Sequence, residues 1–187
     1  MKIIGHTYIS GKAEMILKGD SALLVNRKPF FVPEESVRIA AHPCLVVRIS
    51  KLGKSISPRF AHRYFDGIAA GLHFQDEGLL EAVRKEGRSW TAAVAYDGSS
   101  PVGTFLAVNE ETPLPDIIRF TMDGEEKTVV PEMETISRAI ADISRCISIR
   151  QGDMIFLCND QTPFYPAENQ YITGAIQGEE NLYCKIK

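Results

Sequence analysis

From Val37 to Ser50 the chain alternates strictly enough to fix a long strand. Val37, Ile39, Ala41, Leu45, Val47 and Ile49 fall on one face, and Arg38, His42, Cys44, Val46 and Arg48 on the other. From Ile68 to Gln75 the pattern returns, with Ile68, Ala70, Leu72 and Phe74 opposed by Ala69, Gly71, His73 and Gln75, and the glycines leave room beside His73. Two such strands with one apolar face each require a sheet packed against a second layer. With 187 residues there is length for one sizeable core, and residues 1–187 are expected to form a single domain.

Shorter elements surround this pair. Lys2-Ile3-Ile4, Ala22 to Val25 and Phe30 to Val32 suggest small strands, and Trp90 to Tyr96 a further one with Trp90 in the core. Ser57-Pro58 opens a short helix that Asp66-Gly67 breaks. Asp76 is placed to cap a helix through Leu79, Leu80 and Val83 that Gly87 ends. Asp123-Gly124 between Ile117–Met122 and Glu125–Val130 predicts a tight hairpin. Met133, Ile136, Ile140, Ile143 and Ile147 recur at helical spacing and form a packing stripe. Met154 to Leu157 predicts a buried strand, and Tyr171–Ile176 with Leu182–Ile186 a closing pair.

Charge and motif content narrow the function. Lys and Arg number 21 against 24 Asp and Glu, a net charge of -3, which gives no basic surface for a nucleic acid. No apolar run is long enough to span a bilayer, and the start lacks a secretory h-region, so no membrane partner and a cytoplasmic location are expected. The phosphate-loop, dinucleotide, nucleophile-elbow and HExxH patterns are all missing. Cys44, Cys146, Cys158 and Cys184 show no CxxC spacing and are expected to be reduced thiols. There remains His42-Pro43-Cys44, whose first and third side chains share a strand face, with His73 on the small-residue face of another strand. The trio offers three soft donors to a metal; the competing account is two hydrogen-bonded histidines and an inert buried thiol.

The order of segments resembles the fumarylacetoacetate hydrolase family in its short bacterial form. Gly5-His6-Thr7-Tyr8 is similar to the family's GRNY, and Leu17 to Leu23 to its LKPxSAL. Leu45 to Ile49 with Lys51-Leu52-Gly53-Lys54 resembles the strand and turn after its ExE pair. Gly87-Arg88-Ser89-Trp90, Tyr96 to Gly103 and Gly152 to Phe156 resemble its GxxW, FDxxxPLG and GDxI. The resemblance implies an α+β, mostly β fold, a mixed β-sandwich roll with a few short helices. It also implies a homodimer, and a divalent Mg²⁺, Mn²⁺ or Ca²⁺ held by two Glu and one Asp. The implied reactions are C–C hydrolysis, decarboxylation or isomerisation of acylpyruvate-like acids. Tyr8 and Lys18 match positions near the family's substrate pocket.

The match breaks at the metal. His42 and Cys44 stand at the two Glu positions, His73 at the Asp, and Val94 at the active-site Lys. The stretch between Tyr8 and Lys18 is too short to carry a catalytic lid. One expectation is therefore a retuned site of His42, Cys44 and His73, with Cys158 a candidate fourth ligand, suited to zinc rather than magnesium or calcium and acting on or binding small α-keto acids. A second is a catalytically inactive relative used for binding, with no metal. A third keeps the usual Mg²⁺ chemistry with Asp76 or Glu77 standing in. No catalytic residue is assigned.

Overall fold

Alternation in the sequence becomes a two-sheet packing in the computed structural model, which describes the chain apart from residues 10–11, 26, 110–111 and 159–161 and the side chains of residues 7–9 and 12–13. The strands are β1 (Ile3–Ile9), β2 (Lys12–Lys18), β3 (Leu23–Leu24), β4 (Ile39–Ile49), β5 (Phe65–Asp76), β6 (Ser100–Pro101), β7 (Leu106–Ala107), β8 (Ile118–Met122), β9 (Glu125–Val129), β10 (Met154–Cys158), β11 (Tyr171–Ile176) and β12 (Glu179–Lys185). Among the described residues the α-helices are α1 (Glu77–Lys85), α2 (Thr91–Val94) and α3 (Met133–Cys146). A mixed sheet runs in the order β2-β1-β10-β4-β5-β7, and a second sheet in the order β12-β11-β8-β9. Among the described residues, no helix is long and apolar enough to cross a membrane.

The odd-numbered face of β4 meets the even-numbered face of β5 on the inner side of the large sheet. Leu45, Val47, Ile68, Ala70 and Leu72 there pack with Phe120 and Ile172 of the second sheet and with Ile136 and Ile140 of α3. The sheets approach so closely at Gly174 that a Cβ there would lie 2.9 Å from that of Ala70. The opposite face of the large sheet has a smaller apolar patch of Ile3, Cys44, Val46, Ala69 and Phe156, closed by Ala22 and Val102. It is on this second face that Lys18, His42 and His73 lie: Lys18 pairs with Ile3, and His42 and His73 pair with each other two residues along from the Cys44–Gly71 pair.

Three local expectations change. The run after Trp90 forms the helical turn α2 rather than a strand, because Ala93 and Val94 bury against Leu80 and Ile16 and the alanines favour helix. Trp90 stands outside the core, 38% exposed. The segment before Lys18, for which the sequence suggested no element, is strand β2, paired antiparallel along β1. Phe30 to Val32 makes only an isolated parallel bridge, Phe30 to Ile186, rather than the expected strand, and Phe31 turns out to solvent. The other main elements form as expected. Asp76 accepts a hydrogen bond from Leu79 N at 3.1 Å as the α1 cap. Asp123 and Gly124, at φ 48° and 85°, make the hairpin turn between β8 and β9.

Candidate functional site

β4 and β5 run antiparallel in a register that sets His42 directly opposite His73, with ring centroids 6.1 Å apart. His42 is half-buried and its Nε2 lies 2.8 Å from Gln75 Nε2. An amide nitrogen only donates, so His42 Nε2 accepts and its proton sits on Nδ1. His73 is buried, and its Nε2 has no hydrogen-bond partner among the described residues. Burial lowers the pKa of His42, as does Lys18, while Glu77 works in the opposite direction. Burial drives His73 well below the usual imidazole value, with Lys18 and His42 adding to the effect. Both rings are therefore neutral at pH 7.

Lys18 closes β2 opposite Ile3 and is 5% exposed. Its Nζ donates to Ser99 O at 3.1 Å and to Ser99 Oγ at 2.9 Å. The Ser99 hydroxyl in turn donates to Val94 O at 3.4 Å, so the turn after α2 orients the lysine. Burial lowers the Lys18 pKa well below the ordinary lysine value. Ser99 stands at an unspecified position of the stretch that resembles FDxxxPLG, after the Asp97-Gly98 turn, so the sequence did not single it out.

The cysteines depart from expectation. Cys44 and Cys158 face each other across β4 and β10, with Cα atoms 4.3 Å apart, and form a disulfide. They are not reduced thiols, because the register makes them direct cross-strand partners despite a separation of 114 residues. Free cysteines are Cys146, exposed, and Cys184, buried. Nor does Gly71 leave a void beside His73, since Val46 Cγ2 and Phe156 fill the space a Cβ would take. The backbone of Tyr8 pairs with Ala13, while its side chain lies outside the described residues.

The residues at the family's ligand positions do not fit a hard, oxygen-ligated cation. They supply two imidazoles and a sulfur already bonded to sulfur. The stand-in acids are engaged elsewhere: Asp76 accepts from the backbone N–H groups of Val37, Arg38 and Leu79, and Glu77 pairs with Arg38 and accepts from the Tyr165 hydroxyl. Among the described residues no group of three His, Cys, Asp or Glu is arranged to hold a metal ion. What the face does offer is a buried amine, two neutral imidazoles and an amide, a set that can donate to an anion and move protons.

Known proteins share this framework. The mouse (Mus musculus) mitochondrial oxaloacetate tautomerase FAHD1 is 26% identical over 178 residues, covering 92% of this chain and 80% of its own. The oxaloacetate tautomerase YcgM of Escherichia coli is 22% identical over 146 residues, covering 75% and 67%. The crystal structure of fumarylpyruvate hydrolase from Pseudomonas aeruginosa, in complex with Mn²⁺ and pyruvate, superposes with a TM-score of 0.87 at 20% identity, covering 100% of this chain and 89% of that one. The 2-hydroxyhepta-2,4-diene-1,7-dioate isomerase of Mycobacterium marinum superposes at 0.83 and 18% identity, covering 99% and 73%. With residues 7–158 matching the fumarylacetoacetate (FAA) hydrolase C-terminal family, the chain belongs to that family.

Proposed function

We propose that this chain binds small α-keto acids of the oxaloacetate or acylpyruvate class against Lys18, His42, His73 and Gln75, and interconverts their keto and enol forms without an oxygen-ligated metal. The observation that carries this reading is the replacement of an acidic ligand set by neutral imidazoles beside a buried lysine, on one face of one sheet. Tautomerisation moves one proton from carbon to oxygen, and a neutral imidazole is the right base for the first half. An N–H donor from Gln75 meets the oxygen as its charge develops. The curated relatives bear the name of this reaction.

The test follows the decay of enol absorbance of oxaloacetate in the presence of a chelator, with binding of oxalate measured alongside. Turnover that survives the chelator and falls by about tenfold to a thousandfold in His73→Gln is expected. Turnover that requires added Mg²⁺ or Mn²⁺ would overturn the metal-free reading. Binding without any turnover would leave the chain a keto-acid binding protein.

One observation favours a second reading. His73 Nε2 is buried without a partner among the described residues, and reduction of the disulfide would return a thiolate at Cys44, two residues from His42 on the same face. His42, Cys44 and His73, with Cys158 as fourth ligand, would then suit zinc. Elemental analysis of protein purified under reducing conditions decides it. About one zinc per chain supports the retuned metal site, and none removes it.

A further inference from the structure

Lys18 is held in a way that anchoring an anion does not require. Its nitrogen makes two hydrogen bonds, both to Ser99, and among the described residues no carboxylate pairs with it. A protonated lysine has three N–H donors, and among the described residues Ser99 alone accepts from Lys18, at a site 5% exposed. A neutral amine has two N–H donors and a lone pair. The Ser99 carbonyl and hydroxyl oxygens accept those two, and the lone pair is left for chemistry.

We propose that Lys18 is a nucleophile that forms an imine with the keto carbon of a bound α-keto acid. This rests on the keto-acid reading above. The Nζ lone pair forms an N–C bond as the carbonyl π bond breaks, and a proton passes to the oxygen to give a carbinolamine. The C–O bond then breaks, the oxygen leaves as water with the second amine proton, and a C=N bond remains; nothing is oxidised or reduced. His42 and His73 stand on the same sheet face to relay those protons. When protonated, the imine draws electrons from the adjacent C–H bond, the service that a metal gives in relatives that hold one, and so accounts for a family site without its carboxylates.

The experiment traps the imine. The whole chain is incubated with pyruvate, or separately with oxaloacetate, and sodium cyanoborohydride, then digested and mapped by mass spectrometry, with oxalate binding measured by calorimetry on the same preparation. The expected result is a secondary-amine adduct on Lys18 at about tenfold or greater excess over any exposed lysine, dependent on the keto acid and suppressed by oxalate. Lys18→Met should lose the adduct while its circular dichroism stays that of the parent; the wild-type map needs no variant to be decisive. Oxalate binding with no adduct on Lys18, or with adducts only on exposed lysines, overturns the imine and leaves the keto-acid site standing. Absence of both binding and adduct overturns the site itself.

Discussion

Cys184 and Cys146 are both free thiols, yet burial separates their chemistry. Burial pushes the Cys184 thiol up to about 12, and a backbone hydrogen bond with Phe30 offsets only part of that. Thiolate is the reactive form, so Cys184 stays inert below that pH while exposed Cys146 is open to reagent. Alkylation followed by mass spectrometry should therefore label Cys146 alone in the native chain, add Cys184 on unfolding, and add Cys44 and Cys158 only when a reductant is present. Labelling of Cys44 in the native unreduced chain would contradict the disulfide. At this scale the sequence revealed the donors at 42, 44 and 73 from strand parity, since side chains two apart share a face. It did not reveal that Cys44 meets Cys158. Pairing across 114 residues depends on which strand lies beside β4, and β10 arrives there only after a long crossover. Ser99 was hidden for a similar reason: its role is a contact with Lys18, 81 residues away.

Elements with their own internal logic were legible, and those decided by neighbours were not. β4 and β5 follow from alternation, the β8–β9 turn from Asp123-Gly124, and α3 from its apolar spacing. The residues around α2 instead take their form from Leu80 of α1 and Ile16 of β2, which local propensity does not contain. Asp76 ties these scales together. It ends β5, caps α1 and accepts from Val37 N and Arg38 N, so both oxygens serve backbone donors. Asp76→Ala removes the cap and the acceptor of two further, partly exposed N–H groups, and chemical denaturation should show a loss of about 1–3 kcal/mol. A change within about 0.5 kcal/mol would mean that water replaces the carboxylate at no cost. His73 and Gln75 sit just before this corner, so activity should suffer in Asp76→Ala even at temperatures where the fold persists.

For the whole molecule, the histidines make stability fall with acid. His6, His42 and His73 all have pKa values below the model-compound value of 6.5, each chiefly through burial. Above 6.5 the folded and unfolded chains are both neutral at these positions and no penalty arises. Below it the unfolded chain takes up protons that the folded chain resists, so unfolding is favoured progressively as pH falls toward the folded values. Each resisted proton contributes about 1.4 kcal/mol per pH unit across that window. The melting temperature should therefore drop between about pH 7 and pH 5, and His73→Gln should flatten the dependence while the disulfide remains closed. A parallel slope in His73→Gln would assign the effect to other groups.

The disulfide acts on the same equilibrium from the unfolded side. Cys44–Cys158 closes a loop of 114 residues, and restricting so long a loop raises the free energy of the unfolded chain by about 5 kcal/mol in the chain-entropy picture. β4 and β10 are already hydrogen-bonded neighbours, so opening the bond leaves the native sheet its register and removes mainly that constraint. Reduction, or Cys158→Ser, should lower the denaturation midpoint by an amount equivalent to about 2–5 kcal/mol, with native circular dichroism retained. The two routes should agree, because they release the same loop. If reduced protein were instead as stable as oxidised protein in the absence of added metal, the bond would contribute nothing to the fold. If added zinc restored the lost stability in reduced wild type but not in Cys158→Ser, that difference would show the freed thiolates joining His42 and His73 as ligands, and it would favour the zinc reading over the metal-free one.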